Sequence, residues 1–347
     1  MAINPENNDS LASALAMLSE WYAASRRLLP WRADPSPYHT WIAEIMLQQT
    51  RIETVIPYYE RFLEELPDIP ALAAVPEDRL LKLWEGLGYY SRARNLKKAA
   101  VMAMEQYGGE LPASAAELRK LPGIGDYTAG AIASIAFGLP EPAVDGNVLR
   151  VLARFLASSE DILQQVTRRR ITELLHSHYP TGEAAALLTE GIMELGETVC
   201  VPNGLPRCGS CPVRTLCAAH LAGEELSYPL KIVKKTRRIE EKTVLLLHCR
   251  GRYAIRKRPD TGLLAGLWEF PNLEGKLSSE ALQALYPGCA IRPAGSAKHI
   301  FTHVEWHMTG FLLEGAEELP SFLWKTPREI EDAYSMPTAF RFYQKKL

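Results

Sequence analysis

The chain has 347 residues, 47% hydrophobic and 23% charged, with a net charge of −2. That length suggests two or three globular domains, and six cysteines are too few for a disulfide framework. No window approaches the roughly 18 consecutive apolar residues of a membrane span. The polar, acid-bearing start MAINPENNDS is neither a signal nor a transit sequence, so a soluble, cytoplasmic protein with no membrane partner is expected. A near-neutral total can still hide a basic face. Candidate clusters are Arg92, Arg94, Lys97 and Lys98; Arg168, Arg169 and Arg170; and Lys231, Lys234, Lys235, Arg237 and Arg238. Each equally suits a solvated surface.

Residues 11–222 read as successive helices, with apolar residues such as Tyr38, Trp41, Ile42, Ile45 and Met46 at helical spacing. Proline and glycine pairs mark the breaks. A helix is expected over Trp41–Gln49, with Glu44 at the border of its apolar stripe. A carboxylate among such neighbours has a raised pKa and suits an acid working near neutrality, or else is a satisfied boundary glutamate. Next comes Leu121-Pro122-Gly123-Ile124-Gly125, between a helical stretch Ser114–Lys120 and a small-residue helix Thr128–Ala136. Ser114 and Glu117 have capping-box spacing. Gly123 and Gly125 let the backbone turn and bring N–H groups to a phosphate at the next helix start; a plain helix–turn–helix connector is the other reading. Asp145 precedes an apolar helical run and reads first as an N-cap, though a carboxylate there could also stabilise positive charge.

Four cysteines then crowd together as Cys200-x7-Cys208-x2-Cys211-x5-Cys217. Thiolates so dense repel one another unless a cation or cluster neutralises them. Zinc sites usually join two Cys-x2-Cys knuckles, whereas one such pair with single flanking cysteines better suits the corners of an iron–sulfur cubane. Zinc and free thiols remain the alternatives. Cys249 and Cys289 stand alone. Residues 222–240 are polar and basic and suit a linker. Beyond it, Thr243–His248 and Tyr253–Arg256 read as strands around an Arg250-Gly251 turn, and 278–286 and 327–333 as helices, giving a separate α+β domain.

Together, LPGIG-x2-TAG, Val144-Asp145-Gly146-Asn147-Val148 and the cysteine loop resemble the helix-hairpin-helix DNA glycosylases with an iron–sulfur cluster, over residues from about 30 to 217. Leu29-Pro30-Trp31-Arg32, Trp41–Thr50 and Gly86–Asn95 resemble the MutY-type adenine glycosylase branch. The resemblance implies a multidomain fold: an all-α glycosylase core with an iron–sulfur loop, plus a C-terminal α+β Nudix-like domain. The expected division is a six-helix domain at 29–141, a cluster domain from 1–28 and 142–221, a linker at 222–240, and an 8-oxoguanine-recognition domain at 241–347.

By that resemblance the chain is a monomeric, monofunctional base-excision enzyme acting on double-stranded DNA with adenine opposite 8-oxoguanine or guanine. Glu44 is then the acid that protonates N7 of an extruded adenine and later assists water. Asp145 stabilises the oxocarbenium-like sugar, in the manner of paired carboxylates in glycoside hydrolysis. Tyr127 and Asn147 match positions supporting Asp145. Trp31, Arg32 and Glu190 match the adenine pocket, and Gln49 and Tyr89 match residues wedged into the stack. For Tyr89 and Tyr90 the alternative is plain core aromatics. Phe301-Thr302-His303 matches the 8-oxoguanine-reading loop, and Cys200, Cys208, Cys211 and Cys217 would bind a [4Fe-4S] cluster.

Three features depart from the pattern. The first cysteine gap, Val201–Arg207, is one residue longer than usual and should bulge outward. Thr302 stands where serine is common. Residues 265–288 lack the glutamate run of a Nudix hydrolase, which disfavours pyrophosphatase chemistry. An endonuclease III-type lyase needs a Schiff-base lysine, and Tyr127 holds that position. A non-catalytic iron–sulfur DNA-binding protein would not need Glu44 and Asp145.

Overall fold

The computed structural model describes residues 5–232 and 237–347. Lys234 and Lys235 of the third basic cluster lie outside them. Contacts divide the chain into two units, residues 5–74 with 95–232, and residues 75–94 with 237–347.

The first unit is helical: α1 (Pro5–Ser25), α2 (Pro30–Ala33), α3 (Pro37–Leu47), α4 (Ile52–Glu65) and α5 (Ile69–Ala74) come first. After α6 (Glu77–Leu83) of the second unit, α7 (Ser91–Gln106) begins in that unit and continues into the first. Then follow α8 (Ala115–Leu118), α9 (Asp126–Ile135), α10 (Gly146–Phe155), α11 (Gln165–His176), α12 (Glu183–Thr198) and α13 (Ala218–Leu221).

Local chemistry sets the ends of α3. Ser36 caps its start by accepting from the His39 N–H at 3.2 Å, and Pro37 sits where no intrahelical donor is needed. The helix stops at Leu47, short of the expected Gln49, because Gln49 turns into the left-handed region with φ 59°. The small-residue helix likewise starts earlier than expected, at Asp126, with Gly125 as its cap. Its small side chains permit close approach: a Cβ on Gly130 would meet the Pro142 carbonyl oxygen at 2.4 Å. At α8 the capping box is half made. Ser114 accepts from the Glu117 N–H, but the Glu117 carboxylate turns to Tyr107 and Lys120 instead.

Helix α12 packs against α1, α9 and α10. Leu11, Leu18, Leu149, Leu152, Leu188, Ile192 and Leu195 fill a core on which Cys200, Cys211 and Cys217 also pack. The cysteine loop is therefore seated on α10 and α12.

The second unit carries a seven-stranded sheet ordered β3-β2-β1-β6-β5, with β4 on β1 and β7 on β2. Its strands are β1 (Arg238–Cys249), β2 (Arg252–Lys257), β3 (Trp268–Glu269), β4 (Asn272–Glu274), β5 (Ala290–Ile300), β6 (Val304–Glu314) and β7 (Leu323–Lys325). Strand β1 starts inside the segment expected as linker. It runs parallel to β6, from Arg238↔Val304 to His248↔Glu314, and β5 pairs antiparallel with β6. The expected turn joins β1 to β2, with Arg250 and Gly251 at φ 49° and 77°, a pairing that matches strand twist. Helices α14 (Ser279–Leu285), α15 (Pro327–Ala333) and α16 (Arg341–Gln344) complete the unit. Two separate apolar clusters, one around Trp306 and Phe340 and one around Leu245 and Leu313, form its cores. Among the described residues no helix is long and apolar enough to cross a membrane.

Candidate active site and cysteine loop

A cavity of about 1380 Å³ opens in the helical unit, lined by Trp31, Arg32, Glu44, Gln49, Gly123, Gly125, Tyr127, Asp145, Asn147 and Glu190. Residues up to 159 positions apart in sequence thus share one site, which no local pattern could have guaranteed. Its size and openness suit a polymer inserting one group better than a small metabolite.

Glu44 is not a border residue: it is only 6% exposed. The Tyr127 hydroxyl donates to its Oε2 at 2.5 Å. Burial pushes the carboxyl from 4.5 up to about 7; the Tyr127 bond opposes this, and the neighbouring Asp145 and Glu190 carboxylates add to it. Tyr127 thus holds Glu44 by hydrogen bond, a contact the sequence did not indicate, while also sensing the Asp145 charge. Its own phenol is driven well above the usual range, first by burial and then by Glu44.

Asp145 caps α10, as expected. Oδ1 accepts from the N–H groups of Asn147 and Val148, each at 2.8 Å, and Oδ2 accepts from Asn147 Nδ2 at 2.9 Å. Burial raises this carboxyl while the two backbone donors pull it back. The cap fixes one orientation of a carboxylate that faces the cavity. Asn147 supports it as expected.

The base-pocket candidates form a charged network. Arg32 lies 3.5 Å from Glu190 and donates to Glu194 at 2.9 Å, with its guanidinium over the Tyr22 ring. Tyr22 donates to Glu190 at 3.1 Å. Arg27 bridges Glu194 and Glu197. Burial raises Glu190, whereas Arg27 and Arg32 overcome burial at Glu194 and hold it below the usual carboxylate value. Arg27, Glu194 and Glu197 escaped the sequence reading. Glu190, Glu194 and Glu197 nonetheless repeat at helical spacing, a signal that one face of α12 is acidic. Trp31 is buried edge-on against Tyr59.

Tyr89, Thr302 and His303 belong to the second unit. Tyr89 is half-exposed, with φ 47°, and its hydroxyl lies 3.2 Å from that of Thr302. Thr302 and His303 sit exposed in the β5–β6 turn. The core-aromatic reading holds for Tyr90, which is buried, and fails for Tyr89.

All four cysteines of the loop line one cavity, and none of them is in a disulfide. Burial pushes Cys208 and Cys211 up to about 11 and also raises Cys217. Such thiols stay protonated unless an electropositive group draws off their protons, so the donor set fits a thiolate-bound metal centre. Arg154 Nη1 donates to Cys200 Sγ at 3.3 Å. Leu205 in the long first gap is 76% exposed, and the Arg207 N–H donates to the Val199 carbonyl at 2.9 Å across the gap. A link the sequence did not disclose joins this loop to Asp145. Arg150 donates from Nε to the Cys200 carbonyl at 2.8 Å and from Nη2 to Asn147 Oδ1 at 2.8 Å, and Asn147 holds Asp145.

A helical unit with a capped aspartate, a buried protonatable glutamate and a glycine hairpin defines a base-excision DNA glycosylase. Residues 42–177 match the HhH-GPD superfamily of base excision DNA repair proteins, and residues 243–346 match the NUDIX domain. The adenine DNA glycosylase of Homo sapiens is 33% identical over 94% of this chain and 73% of its own length. That of Arabidopsis thaliana is 36% identical over 83% of this chain and 55% of its own. Among solved structures, a thermostable thymine-DNA glycosylase aligns with TM-score 0.56 and 26% identity, covering 62% of this chain and 98% of that one. A non-covalent endonuclease III–DNA complex aligns with TM-score 0.53 and 26% identity, covering 63% and 97%. The chain belongs to the adenine DNA glycosylase family. It is a glycosylase of base excision repair that removes adenine.

Proposed function

We propose that the enzyme hydrolyses the N-glycosidic bond of adenine opposite 8-oxoguanine or guanine in double-stranded DNA, as a monomer and without cutting the strand. The observation that carries this reading is Glu44, buried, held by Tyr127 and raised to about 7, in the cavity that Asp145 also lines. With adenine extruded from the stack, protonated Glu44 gives its proton to N7. The C1′–N9 bond then breaks with its electrons on the base. The Asp145 carboxylate faces the cationic sugar, directly or through a transient C1′–O bond. Water adds to C1′ and passes a proton to the Glu44 carboxylate, restoring the acid. Tyr127 offers no amine for a Schiff base, which supports base removal alone.

Cys200, Cys208, Cys211 and Cys217 would hold a [4Fe-4S] cluster. When bound, it supplies the positive charge the buried thiolates need and ties residues 200–217 to α10 and α12. A single zinc ion is a second reading with one specific support: donor atoms of Cys208, His220 and Glu225 lie within 4.8 Å of one another. Absorbance near roughly 400 nm with bound iron and sulfide favours the cluster; zinc alone overturns it. For 8-oxoguanine, the paired hydroxyls of Tyr89 and Thr302 on an exposed turn support the loop 301–303 as the reader.

Single-turnover cleavage of a duplex with adenine opposite 8-oxoguanine, followed by alkali, tests the whole reading. Strand breaks at the adenine position only after alkali are expected. Breaks before alkali, or none, overturn it.

A further inference from the structure

The turn between α6 and α7, which carries Tyr89, is strained. Gly86, Gly88 and Tyr89 have φ of 107°, 70° and 47°, and a tyrosine keeps the left-handed region only where its surroundings enforce it. Inside the turn, Trp84 Nε1 donates to the Gly88 carbonyl at 3.1 Å. Arg92 Nη2 donates to the Leu87 and Gly88 carbonyls at 3.1 and 3.2 Å, with its guanidinium over the Trp84 and Tyr89 rings. The base of the turn is fastened elsewhere, since residues 75–94 belong with the sheet unit. Glu85 accepts from the Met336 N–H at 2.8 Å through Oε1 and from Lys82 Nζ at 2.6 Å through Oε2. Lys82 Nζ also donates to the Glu331 carbonyl in the last turn of α15. A helix ends in unpaired carbonyls, and α15 has no basic residue of its own there, so the Lys82 ammonium is favoured. Met336 is 2% exposed and packs in the core around Trp306 and Phe340, which makes the far side of this contact firm.

We propose that Lys82 and Glu85 are positioning residues. They latch the base of the Tyr89 turn to residues 331–336, so that Tyr89 and the 301–303 loop present one fixed reading surface to the lesion pair. This rests on the reading that Tyr89 and Thr302 meet 8-oxoguanine. Two hydroxyls 3.2 Å apart but 213 positions apart in sequence keep that geometry only if both backbones are held in one frame. Strand pairing up to Ile300↔Glu305 holds the Thr302 side. The latch holds the Tyr89 side.

The test is the ratio of single-turnover adenine excision opposite 8-oxoguanine to that opposite guanine. Glu85→Ala should lower the ratio roughly threefold to tenfold, the scale of one hydrogen bond. Lys82→Met should lower it as well. Glu85→Gln keeps an acceptor for the Met336 N–H and should recover most of the ratio. A latch that works through Tyr89 has a signature that a merely structural contact lacks: in a Tyr89→Ala enzyme, adding Glu85→Ala should change the ratio no further. Glu85→Ala with the wild-type ratio overturns the proposal, even if both rates fall together. So do losses that add in the double variant, or a Glu85→Gln enzyme as impaired as Glu85→Ala. Should Glu85→Ala not fold, Lys82→Met, alone and with Tyr89→Ala, decides in the same way. A Tyr89→Ala enzyme with the wild-type ratio overturns the 8-oxoguanine reader itself, a different failure.

Discussion

At the scale of single residues, the environment of Glu44 decides the pH behaviour. An acid raised to about 7 is protonated below that pH, so excision should fall as pH rises through about 7. The acidic limb belongs to Asp145, which must remain ionised and which burial also raises. The Tyr127 hydroxyl stabilises ionised Glu44, so Tyr127→Phe should move the alkaline limb upward; a single-turnover profile in which the limb moves down removes Glu44 as its owner. Stability follows the same group with its own sign. The folded pKa lies above the model-peptide value of 4.5, so the stabilising contribution is whole below about pH 4.5 and is lost as pH rises through about 7. Glu44→Gln, inactive but never ionised, should match wild type in denaturant melts near about pH 4. Near about pH 8 it should be more stable, by about 3 kcal/mol at most. Equal stability at both pH values would show that Glu44 carries no such shift. The sequence exposed Glu44 as a candidate but set it at the edge of an apolar stripe. Its burial depends on Tyr127, 83 positions away.

At the scale of elements, α10 carries the site's rigidity. Asp145 caps its start, Arg150 binds the Cys200 carbonyl from its middle, and Arg154 reaches the Cys200 sulfur from its last turn. Asp145→Asn keeps an acceptor for the cap but removes the charge, so it should fold like wild type and lose excision. Asp145→Ala should lose excision and also about 1 kcal/mol of stability. Urea melts that rank the two variants equally would deny the cap. The hairpin offers a second contrast. Gly123 has φ 82°, and a Cβ there would sit 2.6 Å from the Asn95 Cβ, whereas Gly125 has nothing within 4 Å of an added Cβ. Gly123→Ala should therefore melt lower, whereas Gly125→Ala should melt like wild type and weaken duplex binding, which titration of a labelled duplex checks. Caps and turns such as Asp145 and Arg250-Gly251 were legible because their chemistry is local. The Arg150 link was not, since its acceptors at Gly196 and Cys200 lie 46 and 50 positions away and are backbone carbonyls, which carry no residue signature.

At the scale of the whole molecule, two units with separate apolar cores imply two unfolding events. The cysteine loop packs on the helical core through Cys200, Cys211, Leu216 and Cys217. Any metal centre that binds the folded loop and not the unfolded chain stabilises that unit alone by mass action. Removing it leaves buried thiols that are content to be protonated, so the loop loses its tie to α10 without leaving buried charge behind. Calorimetry of the full chain should therefore resolve two transitions. Stripping the metal centre should lower the one assigned to the helical unit and leave the other in place. Cys211→Ser should shift the same transition in the same direction, because an alcohol is a poor substitute for a soft thiolate ligand. Intrinsic fluorescence helps assign the events, since Trp31 and Trp41 report the helical unit and Trp306 and Trp324 the sheet. A single transition that moves as a whole would mean that the two cores unfold as one cooperative block. A metal-dependent shift of the sheet transition alone would contradict the seat of the cysteine loop on α10 and α12.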